Sequence, residues 1–488
     1  MAAISAALII AQQVASKATR DVLFLSAYGA EELPLAMLGS AAIALVGVAM
    51  LAPVLARFGP SRTVPALFLV SAAIYCLEAV LQVDLPGPIA YAVFLHVSLF
   101  GAVVVSGFWS VVNERFDPHS AKRFIGKIAA GAACGGVLGG VLAERVASTF
   151  GAGKLLVVLA GLQVVAAIGV ALVGEGVQKP NDTTRGALSV LAGSTYLRRI
   201  AWTVVLLAFA GALLDYVLKA EADARIVGEE RLTRFFAAYY TGVGLLTFAL
   251  QSTVTKRLLS TLGIGKTIAT LPLAMMFLSG LGVLVTRLWS VVLLRGMSSV
   301  LESSLFRSGY ELLYTPVSTA KKRPTKLLID VAGNRLGDML GSGLVLLLLV
   351  IVPVSTSMLS MAIAAIAATG ALILVGHLQR GYVAELASSL KSGTLVFERA
   401  DDLDATTRAT FETTMGLRRG PLLEAMTRQK GTGESLELTA DRPSLPPPEE
   451  EDLPDMLQRL QGEDWKRTAR ALQKAARRHV GQLIDALL

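Results

Sequence analysis

Twelve apolar stretches recur along the chain as far as residue 379. Each is long enough to cross the hydrocarbon core of a bilayer, which is ~30 Å thick and requires about 20 helical residues. Only 17% of the 488 residues are charged, whereas an average soluble protein is about one quarter charged. The chain is therefore predicted to be an all-α integral membrane protein. Its twelve spans are expected at residues 4–27, 35–56, 63–85, 88–112, 121–146, 153–174, 198–219, 235–256, 265–286, 289–312, 327–350 and 355–378.

The two halves of this apolar region resemble each other. The stretch from Leu55 to Leu67 reappears 204 residues later, and the matched pairs are Gly59 and Gly263, Arg62 and Lys266, Thr63 and Thr267, and Leu67 and Leu271. Two parallel six-helix halves are the layout of major-facilitator-like transporters, whose substrate lies between the repeats. We expect an N-terminal half at 1–175, a cytoplasmic loop at 176–197, a C-terminal half at 198–379 and a small cytoplasmic helical tail at 380–488.

Basic residues in the loops predict the orientation. Connections after even-numbered spans carry Lys and Arg, whereas the first connection, Ala30 to Pro34, carries Glu31 and Glu32. The connection after span seven is an exception, because its three arginines are offset by acidic residues. The positive-inside rule then places both termini and the tail in the cytoplasm. A multi-pass protein of a bacterial inner membrane is the expected location.

The net charge of +8 does not indicate nucleic-acid binding. Residues 380–488 hold 16 basic and 18 acidic residues, and the membrane region holds 29 basic and 19 acidic residues. The positive excess therefore lies beside lipid. The two cysteines and four histidines stand at no metal-ligand spacing, and no phosphate-binding loop or nucleophile motif occurs. We expect no catalytic activity, no metal and no cofactor.

Three charged residues interrupt the first span: Lys17, Arg20 and Asp21. An ionisable residue at the bilayer centre costs roughly 2.5–3.5 kcal/mol on insertion scales, so each needs a partner or a wet cavity. Lys17 and Asp21 are four residues apart and could neutralise each other. That pairing would leave Arg20 as a candidate anion ligand. Contact with substrate and a structural ion pair are both compatible with the pattern.

Charges also occur in the later spans. In span seven, Asp215 and Lys219 are again four apart, and a structural pair near the outer surface is one interpretation. Span ten places Arg295 and Glu302 on one face, with Glu311 near its inner end, and Glu114 ends span four, where gating salt bridges would form. Span eleven carries a polar stripe that is expected to face a cavity: Asp330, Asn334, Arg335 and Asp338.

Two further polar residues and a glycine series have packing explanations. Glu78 and His96 are expected to make interhelical hydrogen bonds. Gly131, Gly135 and Gly139 fall on one helix face at four-residue spacing, which favours close helix packing over a ligand site.

Several motifs together resemble the ATP/ADP translocases of plastids and obligate intracellular bacteria. The resemblance covers residues 15–350, with the motifs in the family's order. The motifs are Thr19-Arg-Asp21 with Gly29-Ala-Glu31, Phe108-Trp-Ser-Val-Val-Asn-Glu114 with Ala121-Lys-Arg-Phe124, Asp215-Tyr-Val-Leu-Lys219, Tyr310-Glu-Leu-Leu-Tyr-Thr-Pro316, Lys326, and Ile329-Asp-Val-Ala-Gly-Asn-Arg-Leu-Gly337.

The resemblance implies alternating-access exchange of nucleotides or a related organic anion. Negative charge would be held by Arg20, Lys219, Lys326 and Arg335. Ion pairs that break and reform would involve Lys17, Asp21, Glu114, Asp215, Glu311 and Asp330. The chain departs from the family at Tyr310 and Asp338, where the family has lysines, so an anion with fewer phosphates than ATP, or another anionic metabolite, is an alternative substrate.

The tail differs in character from the spans. Residues 382–395 and 406–426 are predicted to form amphipathic helices, 429–452 an acidic Pro-rich linker, and 463–488 a final helix. Packing on the other helices, binding of a protein partner and contact with anionic lipid all fit that last helix. A non-transporting membrane scaffold or sensor that acts through this tail is the alternative function.

Overall fold

The computed structural model describes residues 2–115, 118–174, 187–317, 328–391 and 404–411, together with residues 322, 325, 326 and 413. Within these ranges the regular elements are all helical and no strand occurs. The side chains of residues 112–130 are outside the description. The predicted linker at 429–452 and the final tail helix at 463–488 lie outside the described residues, as do residues 176–186 of the predicted loop between the halves.

Six long helices form the N-terminal half. They are α1 (Ala2–Tyr28), α2 (Leu33–Phe58), α3 (Pro60–Leu81), α4 (Pro86–Arg115), α5 (Pro118–Phe150) and α6 (Ala152–Gly174). Each coincides with one of the first six predicted spans. Gly29, at φ +70°, ends α1, in a backbone conformation that only glycine adopts readily.

The C-terminal half has the same order of helices with two irregular segments. After the short α7 (Ala187–Gly193), its helices are α8 (Thr195–Arg225), α9 (Glu229–Thr253), α10 (Thr255–Leu284), α11 (Leu288–Leu301), α12 (Arg307–Leu313), α13 (Asn334–Ile351) and α14 (Thr356–Lys391). A π-helical turn, Glu302–Phe306, joins α11 to α12, and a second, Ile329–Gly333, leads into α13. The tail helix predicted from residue 382 is instead the end of α14, which runs unbroken across residue 379.

The helices differ in how apolar they are. Among the described residues, seven helical segments have the length and hydropathy of a membrane span. They coincide with α2, α3, α6, α8, α10, α13 and α14. Residues 86–101 of α4 form a further, shorter apolar segment. The helices α1, α5 and α9, in which no such segment occurs among the described residues, pack against one another.

The repeat seen in the sequence has the same geometry in both halves. Gly59 has φ +76° immediately before α3, and Gly263 has φ +77° at a kink within α10. The hydroxyl of Thr63 donates to the carbonyl of Gly59 at 2.8 Å, and that of Thr267 donates to Gly263 at the same distance. The matched residues therefore share backbone conformation and hydrogen bonding, which a chance likeness of apolar helices would not produce.

Helix packing follows the same two-fold plan. In the N-terminal half, α1 packs on α4, α5 and α6, and α3 packs on α6; the counterparts in the other half are α8 with α11, α13 and α14, and α10 with α14. The two halves meet where α5 packs on α9 and where α2 packs on α13, with α1 also touching α9. The first helix of each half is therefore at the centre of its half.

Close approach of α5 to α1 depends on the glycine series. A Cβ atom at Gly131, Gly135 or Gly139 would lie 2.0–2.2 Å from a backbone carbonyl oxygen of α1. Real Cβ atoms do not approach another atom so closely, so any side chain would push the helices apart. The packing interpretation of these glycines is confirmed.

Candidate functional site

Asp21 is the centre of a charged cluster between the two halves. It is on α1 and is fully buried. Its Oδ1 accepts from Arg20 Nη2 at 2.7 Å and lies 3.2 Å from Lys219 Nζ, while Oδ2 accepts from the Tyr240 hydroxyl at 2.5 Å. Since Lys219 is on α8 and Tyr240 on α9, this one carboxylate joins the N-terminal half to two helices of the C-terminal half.

Lys219 connects Asp21 to a second carboxylate. Its Nζ is 2.7 Å from Asp215 Oδ2, which confirms the pair expected from their four-residue spacing. Asp215 Oδ1 is also 3.4 Å from Arg295 Nε on α11. Lys219 is only 1% exposed, and the placement of this pair near the outer surface of the membrane stays a prediction. Its ammonium is held by carboxylates from both halves, which compensates for its burial.

Phe94 supports both of the cations that touch Asp21. The Arg20 guanidinium carbon is 4.8 Å from the centre of the Phe94 ring, and Lys219 Nζ is 5.6 Å from it. Arg20 Nη1 is also 3.4 Å from the hydroxyl of Ser98, one turn along α4. An aromatic face attracts cations, so α4 positions the positive groups.

Lys17 is in an unexpected state. It has no carboxylate within ion-pair distance among the described residues. The Asp21 carboxylate binds Arg20 and Lys219 instead. The expected pairing of Lys17 with Asp21, with Arg20 left over, is therefore wrong. Lys17 Nζ lies 5.9 Å from the centre of the Tyr240 ring and is exposed although it is mid-helix.

The cluster has more positive than negative charge. Its cations are Lys17, Arg20, Lys219 and Arg295, and its carboxylates are Asp21 and Asp215. Arg295 Nη1 is buried without a hydrogen-bond partner among the described residues. The arrangement is chemically suited to take up a small anion between the halves.

Arg335 and Asp338 extend the polar wall in the C-terminal half. Arg335 Nη1 is 3.1 Å from Asp338 Oδ2, and both side chains are partly exposed. Asp338 is within electrostatic reach of Asp215, Arg295 and Glu302. The cavity-facing stripe on span eleven and the role of Arg335 as an anion ligand both stay predictions.

A second polar group lies where α12 meets the π turn before α13. Glu311 accepts from Lys326 and is 3.1 Å from Arg307, whose Nη2 is 4.0 Å from Asp330. The Tyr310 hydroxyl donates to Asp330 and lies 3.0 Å from the Tyr314 hydroxyl. In this conformation Lys326 is therefore paired with Glu311. The predicted ligand set is divided between two groups.

The sequence analysis missed Tyr240 as part of the site and did not assign Arg295 to it. Arg295 gave a signal, because it was on one face with Glu302 in an apolar span. Tyr240 gave none, since a tyrosine in a run of aromatic residues is compatible with simple packing. Glu114 lies outside the residues whose side chains are described. Among the described residues, no group of three or more potential metal ligands occurs.

No family model matches this sequence, and no curated protein is similar to it in sequence. Among solved structures, the chain is similar to a bacterial homologue of the human lysosomal transporter Spinster in an inward-facing, unoccupied conformation. The TM-score is 0.54 at 13% identity, over 79% of this chain and 97% of that chain. It is also similar to the nucleoside transporter NupG, with a TM-score of 0.55 at 11% identity, over 78% of this chain and 98% of that chain. These likenesses show an all-α, major-facilitator-like membrane fold.

Proposed function

We propose that this protein is a secondary transporter that exchanges a nucleotide or a related organic anion across the membrane by alternating access. The observation that carries the proposal is the shared carboxylate of Asp21, which binds Arg20 of its own half and Lys219 of the other half. Substrates of two-half transporters are held between the repeats near the bilayer midplane. The cluster at Asp21 lies between the two repeats and has an excess of positive charge.

Exchange of partners links anion binding to movement of the halves. Arg20 and Lys219 both use Asp21 as acceptor. Phosphate or carboxylate oxygens of a substrate can replace that acceptor, because guanidinium and ammonium groups bind such oxygens strongly. Replacement would free Asp21 from Lys219 and weaken a tie between α1 and α8. The substrate would thereby favour the conformation in which the halves separate at this level.

The nucleotide class is supported by the motif resemblance to ATP/ADP translocases. Both departures from that pattern leave fewer cations for a substrate. Asp338 pairs with Arg335, and Tyr310 supplies no positive charge and binds Asp330. Fewer unpaired cations favour a substrate with fewer phosphates than ATP, and we propose ADP or a nucleoside monophosphate as the better ligand.

Reconstitution into liposomes tests the proposal. We expect purified protein to take up labelled ADP faster than labelled ATP, and only when nucleotide is present inside the vesicles. Arg20→Gln should abolish uptake, because it removes a cation from the central cluster. Arg231→Gln is the matched control: Arg231 is exposed at the start of α9, so its loss should leave uptake unchanged.

Two results would contradict the proposal. Uptake that persists in Arg20→Gln would show that the central cluster does not hold the substrate. A folded protein that takes up neither nucleotide would exclude nucleotide exchange, and would favour another anion or the scaffold function of the tail.

We also propose that both termini face the cytoplasm of a bacterial inner membrane. The support is the excess of basic residues in the connections after even-numbered spans. Labelling of cysteines introduced singly into the first and second connections, in intact cells with a membrane-impermeant reagent, should modify the first and spare the second.

A further inference from the structure

A second buried polar cluster lies inside the N-terminal half, at the junction of α3, α4 and α6. His96 Nδ1 is 3.0 Å from a carboxylate oxygen of Glu78, and its Nε2 is 2.8 Å from the hydroxyl of Ser71. Gln163 Nε2 donates to that same hydroxyl at 2.8 Å. All four residues are at most 6% exposed. The expectation that Glu78 and His96 make interhelical hydrogen bonds is confirmed, and the contacts also place an ionisable pair inside an apolar bundle.

The hydrogen bonds of His96, Glu78 and Ser71 can be made in two different proton states. In one, Gln163 donates to Ser71, Ser71 donates to His96 Nε2, and a neutral imidazole donates from Nδ1 to the Glu78 carboxylate. In the other, His96 is protonated and donates at both nitrogens, and Ser71 donates onward to the Gln163 oxygen after the amide rotates. One atom of the Gln163 amide, the oxygen in the first arrangement, has no hydrogen-bond partner among the described residues. The pair can therefore gain or lose one proton without removing a hydrogen bond from His96, Glu78 or Ser71.

Tyr75 connects this pair to α1. His96 lies two residues from Phe94 and two from Ser98, so it is on the opposite face of α4 from these two contacts of Arg20. The His96 ring lies 4.3 Å from the Tyr75 ring, centre to centre. The Tyr75 hydroxyl donates to Ser16 on α1 at 3.0 Å. A change of charge at His96 thus occurs beside Tyr75, which is within electrostatic reach of Arg20.

We propose that His96 and Glu78 form a proton-binding site, and that its protonation is coupled to binding of the anion at Arg20. The inference rests on the proposed function for its second part only. The protonated pair is an imidazolium beside a carboxylate and is neutral overall, whereas the deprotonated pair has a net charge of −1. Because a negative charge near Arg20 opposes an incoming anion, anion binding favours uptake of a proton.

Few other charges face the pair. Tyr75 is on α3 beside it, and Arg20 on α1 is within electrostatic reach of Tyr75, as is Glu78. Gln163, from α6, is neutral. The other charged residues of α2, α3, α4 and α6 are near helix ends: Arg57, Arg62, Glu114, Arg115 and Lys154. The helix α1 also packs on α4 and α6, and its other charged residues, Lys17 and Asp21, belong with Arg20 to the central cluster.

Nitrogen NMR of the imidazole tests proton binding without any substrate. The chain has four histidines, and H119Q/H377Q/H479Q leaves His96 as the only one. We expect the His96 nitrogens of this ¹⁵N-histidine-labelled variant in nanodiscs to change from the neutral Nδ1–H form to the imidazolium as the pH falls. Glu78→Gln should make the imidazole lose its proton at a lower pH, because the compensating charge is gone. A His96 that keeps one protonation state wherever the protein stays folded would overturn the inference.

Binding of labelled ADP tests the coupling. If one proton is taken up with each anion, the Kd for ADP should fall by up to about tenfold for each pH unit by which the pH is lowered, over the range in which His96 gains its proton. His96→Gln should abolish this pH dependence, whereas His377→Gln, at an exposed position on α14, should retain it. A titrating His96 with pH-independent ADP binding would overturn the coupling. Absence of ADP binding by wild-type protein would instead count against the proposed nucleotide function, and the NMR result would stand separately.

Discussion

The two halves bury their first helices in the same manner and hold their central carboxylates in different ways. A glycine face packs on the backbone in both: α5 on α1, through Gly135 and its neighbours, and α13 on α8, through Gly337 and Gly341. Asp21, however, is fully buried and receives donors from both halves. Asp215 is 23% exposed, and among the described residues its ion-pair partners are Lys219 and Arg295 of its own half.

The repeat preserves the packing of the first helix in both halves, whereas the contacts of the two carboxylates have diverged. Packing of the first helix onto the fifth sets the shape of a half, so both copies retain it. The carboxylates are under no such constraint. Of the two carboxylates, Asp21 is the one that binds residues of the other half among those described, so in the proposed mechanism the N-terminal half contributes the switching acceptor.

The helices of the C-terminal half are also less regular than those of the N-terminal half. The helix α4 is regular from Pro86 to Arg115, whereas its counterpart in the C-terminal half is interrupted by the π turn Glu302–Phe306. A second π turn, Ile329–Gly333, precedes α13. Such turns occur frequently at functional sites. Both begin with or contain an acidic residue, Glu302 or Asp330, which agrees with a polar wall on the C-terminal side.

The largest expected effect on stability is that of removing the shared carboxylate. Asp21→Asn leaves Arg20 and Lys219 without their common buried acceptor and should lower the free energy of unfolding by about 3 kcal/mol. Asp215→Asn should cost about 1 kcal/mol, since that carboxylate is partly solvated. Denaturant titration in mixed micelles measures both. Equal losses would contradict the distinction between the two carboxylates.

The glycine packing of α5 on α1 gives the next effect. A Cβ at Gly135 would be 2.0 Å from the carbonyl oxygen of Ala7, so Gly135→Ala should destabilise the protein by about 2 kcal/mol. The control is Gly136→Ala on the same helix, where the nearest atom is a methyl group of Ile10 at 3.8 Å. Melting temperatures of the two purified variants should differ clearly; a Gly135→Ala that melts with the wild type would refute the tight crossing.

The equivalent crossing in the C-terminal half should be less sensitive. At Gly341 the nearest atoms to a Cβ are the Ala212 Cβ and the Phe209 carbonyl oxygen, both at 2.8 Å. We expect Gly341→Ala to cost about 1 kcal/mol, less than Gly135→Ala. At Gly343, on the same helix, there is no atom within 4 Å, so Gly343→Ala should be neutral. The same melting assay decides whether the order of the two crossings is correct.

The smallest effect should come from an exposed pair between the halves. Arg234 on α9 lies 3.5 Å from Glu144 on α5 and 2.8 Å from Glu230, and its side chain is 56% exposed. Arg234→Gln should change the free energy of unfolding by about 0.5 kcal/mol or less. A loss as large as that of Asp21→Asn would mean that exposed contacts, rather than the buried cluster, connect the halves.

Much of the fold could be predicted because helix length and hydropathy are local properties. The twelve spans, the repeated loop and the packing of Gly131, Gly135 and Gly139 all follow from spacing along the chain. Pairing at the site could not be predicted in the same way. Residue spacing favoured Lys17 as the partner of Asp21, but α8 inserts Lys219 from 198 residues away along the chain. A contact between halves leaves no periodic signal in a single sequence.

In the proposed mechanism, cations between the halves hold the transported anion. Substitution of Lys219 is the most direct test of this mechanism. The measurement is ADP uptake by nucleotide-loaded liposomes containing Lys219→Gln, compared with Lys154→Gln, an exposed lysine on α6. We expect Lys219→Gln to lose exchange and Lys154→Gln to retain the wild-type rate. Exchange at the wild-type rate by folded Lys219→Gln protein would contradict the mechanism.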